Sequence, residues 1–329
     1  MTSEKYLYTN GNYFVRSDGR TMIKRAKRVG EELISEFPDS IDLKITEKCS
    51  FGCKFCHESS TPKGKSFDLD KTVSILSQLP PVPLEIAIGG GDVLDAPDAD
   101  RLIKWLNDRG HKTRITINVR DLLERRTETE ALFRLVDAAG ISIDSLSALG
   151  EIKNDTFSKK GSISMTLFNK DDISIIHDPN VPDHVVLHII AGIFPAEELE
   201  TLFEVSEYPV LVLGYKQWGR AENTSLPAEL PKFAETLKSL MRKMECLNYE
   251  EYFDLRTIGF DNLAIDQLGI RDMYTEKQWN KLYMGDEGTH SMYIDAVKGQ
   301  FAMTSRSAER VSWDEIGLID YFKNVKTNK

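Results

Sequence analysis

The stretch Asp42-Leu-Lys-Ile-Thr46-Glu-Lys-Cys49-Ser-Phe-Gly-Cys53-Lys-Phe-Cys56-His57 decides how the chain is read. Its opening, Asp42–Thr46, is a short apolar run of strand type, and three thiols follow at spacings of four and three. The chain has 4 cysteines, and the remaining one, Cys246, lies far away in the sequence. Such clustering suits a metal site better than a disulfide framework. Residues just past the C-terminal end of a strand line the active face of a β/α barrel. Three thiolates there hold three corners of a [4Fe–4S] cubane and leave the fourth iron open for a ligand. Zinc is the competing metal, with His57 or Glu58 as its fourth ligand.

Working outward, apolar β-rich runs recur at Leu84–Ile88, Lys112–Val119, Ser142–Leu149, Val185–Ile190 and Val210–Tyr215, giving six expected strands. Stretches of helical period lie between most of them, at Leu69–Leu79, Ala99–Asp108, Glu128–Ala138 and Ala196–Val205. This alternation predicts a parallel sheet with right-handed crossovers. Between the fourth and fifth strands, Ser162–Phe168 and Ile173–Ile176 read as an extra hairpin. Before the first strand, Asn10-Gly11 marks a tight hairpin turn, a basic run extends from Arg16 to Arg28, and a helix is expected near Glu31–Phe37. Beyond Gly219 the pattern changes to a helix over Lys232–Leu247 and an extended stretch, Ser291–Met303. The expected division is residues 1–40 as a hairpin and helix extension, 41–220 as the core, and 221–329 as an α+β cap facing the substrate.

Cys49-x3-Cys53-x2-Cys56, with aromatic Phe55 before the last cysteine, resembles the signature of the radical S-adenosylmethionine (radical SAM) superfamily. Gly89-Gly90-Gly91-Asp92, ending the second expected strand, resembles the family's Gly-Gly-Glu-like stretch that meets the methionine end of SAM, with Asp in place of the common Glu. Glycine suits such a place because a backbone without Cβ approaches a ligand closely. The resemblance covers about Asp42 to Arg220 and implies a partial (β/α)6 barrel, one [4Fe–4S] cluster and SAM as cofactors, and an external one-electron reductant such as flavodoxin or ferredoxin. It also implies chemistry, in which SAM is cleaved reductively to a 5′-deoxyadenosyl radical that abstracts a hydrogen atom from a substrate.

Further residues carry weaker signals. Thr116 and Asn118 share one face of the third strand, and Asn118 is a candidate SAM contact with strand-end capping as the alternative. His188 and Gly192 end the fifth strand, where the resemblance places adenine contacts. Lys216 and Arg220, after the sixth strand, are candidate anchors for a carboxylate or phosphate. Cys246 reads as a buried structural thiol or as a hydrogen-atom donor. One spare cysteine is too few to ligate a second cubane.

Composition bounds the function. The 329 residues are 41% hydrophobic and carry a net charge of -10, which suits a globular protein and argues against broad coating of nucleic acid. No apolar run approaches the roughly 18 residues needed to span a bilayer, and the opening MTSEKYLYTNGNYF lacks a secretory apolar core, so no membrane association and a cytoplasmic location are expected. The expected substrate is a peptide or small molecule rather than nucleic acid. A nucleotide or base as substrate, and a non-catalytic metal module binding nucleic acid through the basic run, are the alternatives.

Overall fold

A computed structural model of the chain describes residues 6–17, 22–146, 184–205, 208–246, 258–283 and 285–327. The expected turn at Asn10-Gly11 forms, with Gly11 at φ 54° joining β1 (Tyr6–Asn10) to β2 (Tyr13–Ser17). Antiparallel β3 (Met22–Ala26) completes a three-stranded sheet drawn from the basic run. No helix forms over residues 31–37. The Asn12 side chain accepts from the Ile34 N–H at 2.7 Å and donates to the Glu32 carbonyl at 2.8 Å, and Asn10 Oδ1 accepts from the Glu36 N–H at 2.7 Å. These two amides occupy the backbone groups that a helix there would pair.

Asp39 fastens this small sheet to the rest of the molecule. Its carboxylate, 1% exposed, accepts from Tyr13 OH at 2.6 Å, Asn10 Nδ2 at 2.8 Å and Tyr8 OH at 3.1 Å, and pairs with Lys24 Nζ at 2.8 Å. A buried carboxylate persists only with such a set of partners. The next residue opens β4 (Ser40–Thr46), the first core strand.

The core continues through α1 (Leu69–Leu76), β5 (Glu85–Gly90), α2 (Ala99–Asp108), β6 (Lys112–Asn118), α3 (Val119–Glu124), α4 (Arg126–Phe133) and β7 (Ala138–Ser142). Then come β8 (His184–Ile190), α5 (Leu199–Val205) and β9 (Val210–Leu213). Strands β4 to β9 lie side by side in chain order and pair in parallel. The sheet does not close, so the fold is a partial barrel with α/β architecture. Alternation sorts its faces: Leu43, Ile88, Ile117, Ile141, Leu187 and Val212 are buried with the helices, whereas Asp42, Ala87, Thr116 and His188 on the other face keep solvent contact.

The fourth core strand falls at Ala138–Ser142 rather than at Ser142–Leu149, and the preceding helix stops at Phe133. Small residues are what this place needs: a Cβ on Gly140 would lie 2.3 Å from the His188 ring on β8. Residues without side-chain bulk give no β-rich signal, which is why this strand is invisible to pattern reading. The expected hairpin at 162–168 and 173–176 lies outside the described residues, as does the part of the expected strand beyond residue 146.

The C-terminal residues do not form a layer apart from the core. They contribute α6 (Leu230–Cys246), β10 (Ile258–Phe260), α7 (Asn262–Leu268), α8 (Glu276–Leu282), β11 (Ser291–Asp295), β12 (Gln300–Ala302), β13 (Val311–Ser312) and α9 (Leu318–Thr327). β10 adds in parallel to β9 at one edge, and β11 adds in parallel to β4 at the other, making one ten-stranded sheet. Among the described residues no helix is long and apolar enough to cross a membrane.

Candidate active site

The cysteine loop leaves β4 at its C-terminal end and folds back on itself. Glu47 N–H donates to the Lys65 carbonyl at 2.7 Å, Thr61 N–H to Glu47 O at 3.0 Å, and Cys49 N–H to Thr61 O at 3.1 Å. Gly64 makes this return possible, because a Cβ there would lie 2.1 Å from Glu47 O. Cys49, Cys53 and Cys56 are all free and partly exposed, and the outer residues Ser50, Gly52 and Lys54 face solvent. Burial pushes the Cys49 thiol up, and the nearby Asp92 carboxylate adds to this, while the Phe51 N–H opposes it.

The glycine stretch lies directly against the root of this loop. Gly91 N–H donates to Thr46 O and Asp92 N–H to Lys48 O, each at 2.7 Å. The register between β4 and β5 slips here, bringing Thr46 opposite Gly90. A Cβ on Gly91 would lie 2.0 Å from Lys48 O, and one on Gly90, at φ 132°, would lie 2.4 Å from Thr46 O. Gly89 differs, since a Cβ there would meet nothing within 4 Å. Two glycines therefore let the strands close up, and the third leaves room above the sheet for a ligand.

Asp92 turns inward, 4% exposed, where its Oδ1 accepts from the Leu94 N–H at 2.9 Å and its Oδ2 meets Arg125 at 3.1 Å. Asp121 stands beside it. Burial and the Asp92 charge push the Asp121 carboxyl up to about 7. Asn118 is the N-cap of α3: its Oδ1 accepts from Arg120 N–H at 3.0 Å and Arg120 Nε at 3.2 Å, and Asp121 Oδ2 closes the capping box through the Asn118 N–H at 3.1 Å.

Arg220 clamps the cysteine loop from the opposite side. Its backbone N–H donates to Cys56 O at 3.0 Å, Nε to Cys53 O at 2.9 Å, and Nη1 to Ser60 O at 2.6 Å. Gly219, at φ 60°, permits this approach, since a Cβ there would lie 2.4 Å from His57 O. Lys216 reaches Ser305 Oγ at 3.3 Å and faces Asp42, His57 and Glu58. His188 stacks over Gly140, and burial pushes its imidazole down to about 4, so the ring is neutral at physiological pH. Gly192, at φ 75°, packs against Pro227 and Leu230, Phe55 is half-buried on the cysteine loop, and Cys246 is the last residue of α6.

Several residues of this region escape a reading of the sequence. Lys44, 4% exposed, lies under the cysteine loop with Glu58 at 2.6 Å, Glu47 at 3.3 Å and Asp295 at 3.4 Å. Its own burial disfavours the charge, but the three carboxylates outweigh it and raise the pKa. Tyr293 OH reaches Glu58 at 3.5 Å, and Arg310 lies over the Tyr293 ring. Asp42 opens into the concave face yet is walled in by the sheet, which pushes its carboxyl up to about 6; Glu287 adds to the effect and Lys216 opposes it. A lone lysine in the apolar run Leu43–Ile45 was the one visible signal for this network. Arg120 was missed as well: its Nη2 donates to Cys53 Sγ at 3.3 Å.

The donor set tests which metal group fits. Among the described residues no three His, Cys, Asp or Glu side chains converge on a single point. Three soft thiolates spread along one loop, beside a glycine face with open space, fit a cubane with one iron left for a ligand. Two shallow surface hollows lie elsewhere, one beside Asn107, His111 and Asp137 and the other beside Asn12, Lys27 and Ile34.

Comparison with known proteins places part of the chain in a known family and its fold among known structures. Residues 43–167 match the model of the radical SAM superfamily. An S-adenosylmethionine-dependent nucleotide dehydratase from Selenomonas ruminantium is 29% identical over 121 residues, which are 35% of this chain and 44% of that protein. Among solved structures, Streptococcus suis SuiB bound to precursor peptide SuiA superposes with a TM-score of 0.56 at 13% identity, covering 88% of this chain and 65% of SuiB. SuiB bound to S-adenosylmethionine gives 0.55 at 14% identity, covering 88% and 66%. At such identity the likeness is one of fold. The chain spans less than half of the curated relative and about two thirds of SuiB.

Proposed function

We propose, for a chain that carries a radical SAM domain at residues 43–167, that it is an enzyme holding a single [4Fe–4S] cluster on Cys49, Cys53 and Cys56 and binding SAM over the glycine face. When bound and reduced, that cluster supplies one electron to SAM, whose cleavage gives methionine and a 5′-deoxyadenosyl radical that takes a hydrogen atom from the substrate. The observation that carries the reading is the pairing of the three-thiol loop with Gly89–Asp92 through two backbone hydrogen bonds of 2.7 Å.

The chain's own residues hold, orient and shield. Arg220 fixes the carbonyls of Cys53 and Cys56, and so the direction in which the loop presents its thiols. Gly90 and Gly91 bring the methionine-binding segment against the loop, and the open side of Gly89 admits close approach of a ligand backbone-first. Asp92 supports that turn from beneath through Leu94 and Arg125 rather than by presenting its carboxylate. Asn118 acts through the α3 cap, and neutral His188 offers a hydrogen-bonding ring on the concave face. Lys216 and Asp42 set opposite charges on the same face, suited to a polar substrate. The solvent-facing Ser50, Gly52 and Lys54 leave the outer side of the loop open to a small reductant such as flavodoxin or ferredoxin.

For the substrate we favour a peptide or small molecule, bounded by the segment after residue 220. The net charge of -10 supports this, as does Lys24 being spent on Asp39 at the N-terminal end of β4, roughly 20 Å of strand away from the thiols. A nucleotide is the second reading, favoured by the named activity of the 29% identical relative.

Anaerobic reconstitution tests the proposal. It should give about four irons per chain and a broad absorption band at roughly 400 nm, as one cubane requires. Adding dithionite and SAM should give 5′-deoxyadenosine, lost on Cys53→Ala, and the class of added substrate that accelerates its formation identifies the partner. Zinc retained in place of iron, with no 5′-deoxyadenosine, would end this reading.

A further inference from the structure

Arg120 is the first polar side chain after the Asn118 cap, and the cap turns it back toward the cysteine loop. Three contacts hold it. Its Nε donates to Asn118 Oδ1 at 3.2 Å, its guanidinium carbon lies 4.4 Å from the Phe51 ring centroid, and its Nη2 donates to Cys53 Sγ at 3.3 Å. A planar guanidinium fixed on an aromatic face with one N–H aimed at sulfur is a built contact, unlike a lysine sweeping a surface.

We propose that Arg120 is a positioning residue for the iron–sulfur site that raises its reduction potential through the Cys53 sulfur. The inference rests on reading the three cysteines as cluster ligands. Reduction adds one electron from a low-potential donor and changes no bond, so the site becomes more negative by one charge. A guanidinium at hydrogen-bond distance from a ligating sulfur stabilises that extra charge more than it stabilises the oxidised form. Removing it makes the same electron harder to add. Asn118 then matters by aiming Arg120, which gives the cap a part in the redox step without any contact to the cofactor.

The test uses the full chain, reconstituted without SAM, with its midpoint potential read by EPR-monitored titration alongside iron content. Arg120→Leu should move the midpoint to a more negative value, and Arg120→Lys, which keeps the charge but loses the fork and the stacking, should fall between that variant and the wild type. If Arg120→Leu does not retain iron, the Lys variant decides alone, a negative shift supporting the proposal and a wild-type midpoint overturning it. A fully loaded Leu variant with a wild-type midpoint would overturn it. Failure of the wild type to take up any cluster would sink the proposed function, a result separable from all of these.

Discussion

Exchanging single glycines for alanine separates packing from ligand space within three consecutive residues. In Gly91→Ala the new methyl would start 2.0 Å from the Lys48 carbonyl oxygen, against about 3.4 Å for ordinary contact, so one of the two backbones must move by more than an ångström. That movement strains the hydrogen bonds from Gly91 to Thr46 and from Asp92 to Lys48, both 2.7 Å long. Overpacking costs about 1–3 kcal/mol and a weakened backbone hydrogen bond about 1 kcal/mol, so a loss of roughly 2–4 kcal/mol is expected. At about 2–4 °C per kcal/mol for a large domain, the apoprotein melt should drop by roughly 4–16 °C. Gly89→Ala is the counterpart, since its methyl meets nothing within 4 Å and the melt should stay within about 1 °C of wild type. Its methyl would instead occupy the space assigned to SAM, so equilibrium binding of SAM to the reconstituted protein should weaken. An unchanged melt in Gly91→Ala would refute the packing argument, and wild-type SAM affinity in Gly89→Ala would refute the placement of the ligand.

Other outcomes follow from the buried charges. Asp121 has its carboxyl pushed up from 3.8 to about 7 in the folded chain, so between about pH 4 and 7 the native state holds a proton that the unfolded state releases, and stability falls as pH rises. Asp121→Asn keeps the acceptor for the Asn118 N–H and should raise the melting temperature at pH 8 more than at pH 5; an equal change at both would contradict the upward shift of this carboxyl. Lys44→Met removes the buried cation shared by Glu47, Glu58 and Asp295, leaving only the longer contacts of Lys298 with Glu47 and Arg310 with Asp295, and should cost about 3 kcal/mol, whereas a urea midpoint equal to wild type would show the network to be dispensable. Asp39→Asn removes the charge that holds Lys24 and should speed amide exchange in β1 to β3 while leaving β5 to β7 protected; unchanged exchange in the small sheet would show that its apolar contacts suffice.

The parts of the fold legible in the sequence are those dictated by local chemistry. Val, Ile and Leu in short runs announce β4, β5, β6, β8 and β9, and the apolar spacing of Ala99–Asp108 places α2 at its observed bounds. The spacing of the cysteines and the glycine stretch at the end of β5 are legible in the sequence as a candidate site. What stayed hidden depends on partners distant in sequence. Ala138–Ser142 is a strand because the His188 ring needs a neighbour without a side chain, and residues 31–37 are extended because Asn10 and Asn12 seize their backbone. Lys44 stands alone in an apolar run, and two of its partners lie at Glu58 and Asp295. Nothing local in the last third of the chain states that Ser291–Asp295 pairs with β4.

That pairing also has a consequence in time. Tyr293 lies opposite Asp42 in the sheet, so the two partners leave the ribosome some 250 residues apart. At a synthesis rate of about 5–20 residues per second, β4 waits roughly 10 to 50 s with one flank open. Through that interval Lys44 lacks Asp295, and the cysteine loop stands on an unfinished edge strand. A chain cut after Arg220 would never leave that condition. The strand that carries the three thiols is therefore flanked on both sides only once Ser291–Asp295 has been added.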